Sequence, residues 1–543
     1  MGQQHHGLST ARVAAIIVAM NFGVFIGALD GTVVTSLLSH IASELHELSR
    51  VGWIATGYLV ACAAFQPLYG KISDIFGRQQ VLLFCNFMFA LGLVICGYSY
   101  DLETLVLGRV VSGIGGGGIM SLSTIVLSDL IPLRHRGIFQ GIGNLCFGAG
   151  AGLGGIFGGV ISDRYGWRKV FSLQVPAVVI SMILLLVCFR NPAKKDQQEP
   201  LLSDDSSETY GATDASSKAP AQSNAAKIAR IDFYGCGCLV ATLVCLMFGI
   251  STGGNQFPWL SYPVVGSLVA SLVFAAAFTY VELRIAKEPV IALHLFKEQT
   301  ILASSLTNLF GTMAAYSILF FAPVYYSSVL NMTATEVGQR LAANFLGVAI
   351  GSFGSGVYMA RTGRYYWIGV ISGGLMIGAA WILLWITPEK PEILQYLALN
   401  ITGLGYSIML TVTLLALISA VPFEFHAVAT SIQYAFRGIG STLGVSVASS
   451  VFHNVLASQL QRRVHGKHAE EVISRVLDSV EAIRELPAKY QAPVLQSYDV
   501  ACKVVFISVA ILAGVCIITS SLQREHKLHS TLTREEEEAQ QTN

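Results

Sequence analysis

Apolar residues along this chain come in long blocks, not in the short alternations of a soluble fold. Read only for Asp, Glu, Lys and Arg, it shows repeated uncharged runs of about 20 residues, the length that carries a helix across a bilayer. Residues 13–43 hold one charge, Asp30, and uncharged runs follow at 51–70, 79–100, 110–128, 137–162 and 170–189. These make six spans. The run 233–281 is too long for one crossing, and Gly253, Gly254, Asn255 and Pro258 divide it in two. Six more runs follow at 299–335, 341–360, 365–388, 393–423, 427–452 (which contains Arg437) and 504–523. The pattern predicts an all-α membrane protein with fourteen transmembrane helices. Only a short polar stretch precedes the first, so no cleaved signal peptide is expected.

Composition agrees with the pattern. Of 543 residues, 53% are hydrophobic and 12% charged, against about 25% charged in a soluble domain. The 34 basic and 33 acidic residues balance, so there is no basic footprint for nucleic acid. Ten cysteines form no CxxC pair and sit mostly inside apolar runs, which excludes a disulfide scaffold and gives no metal-site spacing. No nucleophile, base and acid stand in a catalytic pattern. Neither enzyme chemistry nor a cofactor is expected.

Fourteen spans put both termini on one side. Lys and Arg are in excess on that side once the long segment 453–503 is set aside, which places the termini in the cytosol. Segment 191–230 lacks Ile, Val, Phe, Met and Trp until Ile228 and is expected to be a disordered cytosolic linker. The expected organisation is a six-helix half at 1–190, the linker at 191–230, two inserted helices at 231–299, a second six-helix half at 300–522 and a cytosolic tail at 523–543. Between the last two spans, Ile473, Val476, Leu477, Val480 and Ile483 recur at helical spacing. They predict a short amphipathic helix that packs on the non-cytosolic face.

The two halves repeat. Gly70, Gly77 and Arg78 after span 2 are matched by Gly356, Gly363 and Arg364 after span 10, at a constant offset of 286 residues (356 less 70). The same offset carries Gly152, Gly154 and Gly158 onto Gly438, Gly440 and Gly444. Such repeats mark secondary transporters, whose halves rock around a site near the membrane midplane.

The stretch Gly70-Lys71-Ile72-Ser73-Asp74-Ile75-Phe76-Gly77-Arg78 resembles the signature loop of the major facilitator superfamily. Leu107-Gly108-Arg109 through Gly113 is similar to its span-4 arginine motif, and the glycines Gly150, Gly154, Gly158 and Gly159 to its span-5 antiporter motif. Gly155 stands where drug exporters usually carry proline. Ala28-Leu29-Asp30-Gly31-Thr32 resembles the first-span signature of the fourteen-span drug:proton antiporter branch. Within that branch, Gly52 to Tyr58 and Ala64 to Gly70 look most like fungal vacuolar basic amino acid transporters. The resemblance implies a major facilitator fold of two six-helix halves plus two inserted helices.

Asp30 lies deep in an apolar span, where an ionisable group costs about 2.5–3.5 kcal/mol on insertion scales and usually marks an ion or substrate path. Ionised, it attracts a cationic substrate; protonated, it releases it. A structural hydrogen bond to a neighbouring helix is the alternative. The resemblance implies proton coupling for Arg109, against a plain arginine snorkelling at the interface. Arg437 suits either a substrate carboxylate or a fixed helix–helix ion pair. Asp74 is positioned to latch onto a helix N-terminus of the opposite half; its counterpart is Ala360. Asn21, Gln66, Asn144, Asn308 and Asn344 are candidate cavity groups, or else helix–helix hydrogen bonds. Asn331 heads a glycosylation sequon, and Glu199-Pro200-Leu201-Leu202 is close to an acidic dileucine sorting signal, with Gln197 in the acidic position.

Together these point to a monomeric, proton-coupled antiporter that moves a small cationic substrate, a basic amino acid, into the vacuole. Protons and the lipid bilayer are its other partners. A plasma-membrane multidrug:proton exporter and a non-transporting nutrient sensor are the alternatives.

Overall fold

The computed structural model describes residues 10–45, 53–189, 232–253, 257–286, 293–332, 334–387, 389–422, 425–465, 469–478 and 486–526. The linker, the dileucine-like stretch and the tail beyond 526 lie outside the described residues. Helices dominate: α1 (Thr10–Leu45), α2 (Trp53–Phe76), α3 (Arg78–Gly97), α4 (Leu102–Leu130), α5 (Leu133–Tyr165), α6 (Trp167–Cys188), α7 (Phe233–Thr252) and α8 (Tyr262–Arg284) come first. Next are α9 (Gln299–Ser328), α10 (Ala334–Thr362), α11 (Tyr366–Trp385), α12 (Ile393–Ser419), α13 (His426–Arg463), α14 (Ala469–Asp478) and α15 (Ala488–Ser521). No strand occurs among the described residues; Gly253 and Phe257 form an isolated bridge.

Thirteen of these helices are long and apolar enough to cross a membrane. The expected count was fourteen, and the difference is α2. It has 24 residues, but Gln66, Pro67 and Tyr69 dilute its apolar run. The packing explains the tolerance: α2 lies against α4 within its own half and α13 of the other, so much of its surface meets protein and not lipid.

Local signals place the helix ends. The Asp101 carboxylate accepts from the Thr104 amide and starts α4, and Asp232 accepts from the Gly235 amide to start α7. Both satisfy donors that a helix leaves open at its first turn. Gly77 and Gly363, equivalent under the repeat, both adopt positive φ, 95° and 69°, a region costly for residues with a Cβ. Each donates its amide back four residues, Gly77 to Ser73 O at 3.0 Å and Gly363 to Met359 O at 2.8 Å. The repeat is thus visible as matched backbone turns.

Two apolar cores form. One gathers side chains almost entirely from α1–α4 and α6, the other from α9–α15. In the first half α5 lies on α1, where Gly150 and Gly154 face the backbone carbonyls of Phe25 and Leu29. In the second, Gly440 and Gly444 of α13 face Leu309 O and Met313 O of α9 in the same way. Small residues let membrane helices approach closely. Gly158 is buried, whereas Gly155 and Gly159 face open space.

The α7–α8 hairpin packs beside α2 and α13, with Ala64, Leu68, Leu239, Leu243 and Phe278 in a shared apolar cluster. It therefore straddles the seam between halves. The amphipathic helix is α14; Val472 and Val476 are buried, and the Tyr498 hydroxyl of α15 donates to Val476 O at 2.8 Å. Val480 and Ile483 lie outside the described residues.

Candidate transport site

The halves meet along two seams, α2 with α13 and α5 with α10. On the side that carries the termini both seams are closed by bare backbone. A Cβ added at Gly70 would stand 2.8 Å from Ala427 O, and one at Gly356 would stand 2.4 Å from Gly137 C. Gly70 and Gly356 are repeat equivalents, so each half contributes the same contact. Polar bonds across the halves reinforce the closure. Thr124 Oγ1 and Tyr434 Oη are 2.7 Å apart, and Asn144 Nδ2 donates to Ser352 Oγ at 2.7 Å. Arg136, 2% exposed, donates to Ile131 O and lies 3.3 Å from His426 Nδ1.

Above this closure is a cavity of about 40 Å³ bounded by α1, α4, α5 and α13, room for about three waters at ~10–15 Å³ each. Asn21, Ser123, Gln140, Asn144, Tyr434 and Arg437 supply polar lining, with Met20 and Phe147 among the apolar walls. Arg437 is the one charged lining residue, and no carboxylate lines the cavity. It stands eleven residues into α13, about 16 Å along the axis, near the middle of an apolar layer of about 30 Å. Its guanidinium lies 5.6 Å from the Phe147 ring centre and 5.8 Å from that of Tyr434. Among the described residues no carboxylate pairs with it, so the helix–helix ion pair open to it from sequence is not formed.

Asp30 and Arg109 meet elsewhere. Arg109 Nη1 donates to Asp30 Oδ2 at 2.7 Å, with side-chain exposures of 1% and 0%. The Tyr58 ring covers the guanidinium at 4.2 Å, a favourable place for a desolvated cation. One bond holds the pair, since Asp30 Oδ1 and Arg109 Nε are buried without partners. One alternative is removed here and one expectation corrected. Arg109 does not snorkel: the Asp101 cap starts α4 seven residues before it, so it sits about 10 Å inside the helix. Asp30 is not a lone carboxylate facing substrate; its partner is Arg109, and it does not line the cavity.

The loop after α2 also differs from its expected contacts. Asp74 pairs with Arg78 at 2.6 Å within its own half, and Arg78 bridges on to Asp129 at 2.8 Å. Gly70, not Asp74, makes the contact with the first turn of α13. Of the candidate amides, Asn21 and Asn144 line the cavity. Asn308 and Asn344 do not; Asn308 bonds Gln433 O and Asn344 bonds Leu399 O, tying helices together. Gln66 lies beside Gly438 at the seam. Asn331 is exposed with φ 53°, and Thr333 of its sequon lies outside the described residues.

Sequence reasoning missed Tyr58, Ser352, Tyr406 and the Arg136–His426 contact. Arg136 was legible only as a loop charge, because 134–136 reads Arg-His-Arg between two spans.

Two pseudo-symmetric helical halves that close over a polar cavity in mid-membrane define a membrane transporter. The chain belongs to the Major Facilitator Superfamily, whose family pattern matches residues 20–445. It is 36% identical over 526 residues to the fission yeast (Schizosaccharomyces pombe) multidrug resistance protein fnx1, covering 96% of this chain and 94% of that protein. It is 31% identical over 484 residues to vacuolar basic amino acid transporter 2 of Saccharomyces cerevisiae, covering 88% of this chain and 98% of that one. The solved proton:xylose symporter XylE shares the fold, with a TM-score of 0.59 at 12% identity over 98% of this chain and 100% of that chain.

Proposed function

We propose that this transporter exchanges protons for basic amino acids across a vacuolar membrane. The observation that carries the coupling is the buried Asp30–Arg109 pair, a carboxylate held by a single bond beneath Tyr58. Asp30 trades Arg109 for a proton. Once protonated, it leaves the Arg109 charge without its counter-ion in a dry site, an arrangement that costs several kcal/mol and favours a state in which water reaches the arginine. Proton binding is thereby tied to opening of the face opposite the termini, toward which the pair lies. The bilayer and the proton gradient are then the partners that matter, with the amino acid as cargo. The name of the Saccharomyces relative supports the choice of cargo and membrane.

A multidrug reading has support in the name of the fission yeast relative. Sealed vacuolar vesicles with an imposed proton gradient separate the two. Labelled arginine and lysine should accumulate only while the gradient stands, and an uncoupler should stop accumulation. Uptake that persists without the gradient removes the antiport reading. Accumulation of a lipophilic cation in place of arginine moves the cargo to drugs.

A further inference from the structure

The cavity has a charge pattern opposite to the one a cationic cargo requires. Its single charge is Arg437, and the buried carboxylate of α1, Asp30, is engaged by Arg109. An arginine held near the midplane is costly and is retained where it serves a partner. Polar groups around it are also incompletely bonded. Tyr406 sets its hydroxyl against Arg437 and Thr312, yet the buried oxygen makes no hydrogen bond of full geometry. Gln140, on the same cavity, uses its amide nitrogen on Asn144 while its Oε1 is buried and unbonded. A guanidinium fork with an adjacent phenol donor matches a carboxylate, and the free Gln140 oxygen matches an ammonium. The Phe147 and Tyr434 rings flank the guanidinium at 5.6 and 5.8 Å.

We propose that Arg437 anchors the carboxylate of the cargo, so that the cavity admits amino acids and refuses the amines left when their carboxylate is removed. This deepens the amino-acid reading above and rests on it for the identity of the cargo. A side chain of either charge class then extends into space created when the halves part, because about 40 Å³ accommodates little more than the carboxylate group and a water. Lipophilic cations without an acid group have no counter-charge here.

The test is equilibrium binding to purified full-length protein without any gradient, using two matched pairs: arginine against agmatine, and leucine against isopentylamine. In the wild type each amino acid should bind about tenfold or more tightly than its amine, the range expected for a charge-assisted bond. In Arg437→Gln, arginine should fall to the level of agmatine while agmatine stays unchanged; Arg437→Lys should lie between. Equal affinity for the members of both pairs overturns the anchor, and this result needs no variant to fold. Arg437→Gln weakening amino acid and amine alike overturns it as well. A preference confined to the leucine pair upholds the anchor and overturns the basic-cargo reading, so the two fail separately.

Discussion

A double-mutant cycle on Asp30 and Arg109 tests the buried pair directly. Seen as a lone carboxylate, Asp30 would be replaced by Asn with little harm, since an amide is less costly to bury than a charge. The pairing reverses that expectation. Asp30→Asn strands a guanidinium that is 1% exposed and whose Nε is already unbonded. Removing one partner of a buried pair costs about 3–5 kcal/mol. The Tyr58 face at 4.2 Å already covers the guanidinium in the wild type, so its cation–π contact offsets none of this loss. Arg109→Gln strands the carboxylate, which can neutralise itself by taking up a proton as a guanidinium cannot, and should cost less. The double variant leaves two amides and no charge, so its stability should recover to within about 1 kcal/mol of wild type, as neutral replacements of buried pairs do. Thermal unfolding in detergent should rank wild type and double variant together, Arg109→Gln below them and Asp30→Asn lowest. Transport should not follow stability: the double variant should fold yet lose proton-driven uptake. Single variants as stable as wild type, or a double variant with the summed losses, would refute this account of the pair.

Three further outcomes follow from the described contacts. Gly356→Ala places a methyl group on the Gly137 backbone, an overpacking worth about 1–3 kcal/mol, so the open state on the terminal side should gain roughly 5- to 150-fold. Spin-label distances between His135 and Tyr358 report this, and an unchanged distribution counts against the closure. Asp74→Asn removes a half-exposed ion pair worth about 0–1 kcal/mol while Arg78 keeps Asp129; folding should be normal, and a wild-type transport rate would make Asp74 a plain surface charge. The Arg168 hydrogen bond holds the Glu44 carboxyl below its ordinary range, so the pair stabilises the fold at neutral pH and loses that contribution as pH falls through the lowered value. Wild type should therefore lose its thermal advantage over Glu44→Gln only in strong acid, and an advantage lost already near pH 6 contradicts the assignment.

Much of the fold was legible because a bilayer forces its helices to be uncharged over about 20 residues. The same rule explains the errors. Counting uncharged residues starts a span after its last charge, which put Arg109 at the edge of span 4. The helix starts at Leu102 under the Asp101 cap, a signal read from capping chemistry and not from hydropathy. The rule also overrates α2, whose modest apolarity is affordable only because neighbouring helices cover it. Asp30 and Arg109 each stood out as charges in apolar surroundings, but they lie 79 residues apart, and their pairing is a tertiary fact. Asn308 and Asn344 could not be separated from Asn21 and Asn144 by sequence, since an amide that bonds a neighbouring backbone and one that faces a cavity look alike. The repeat was the most reliable signal: Gly70 and Gly356, and Gly77 and Gly363, occupy matching positions in space and in backbone conformation.

The repeat does not extend to the ion pair. The α5–α1 and α13–α9 contacts set Leu29 and Thr32 against Leu309 and Thr312, which aligns Asp30 with Phe310; the 286-residue offset aligns Arg109 with Gln395, itself engaged by Arg340. The first half carries this buried ion pair, and the equivalent positions of the second, Phe310 and Gln395, form none. If Asp30 is the carrier, each turnover moves one proton through it. Exchange of that proton for lysine or arginine then transfers no net charge, and its rate should be indifferent to the voltage across the membrane. Exchange for a zwitterion such as leucine moves one charge, worth about 2.3 kcal/mol per 100 mV. The electrical response of the transporter is thus set by its cargo, and recordings on vacuolar membranes should show a current with neutral amino acids and none with basic ones.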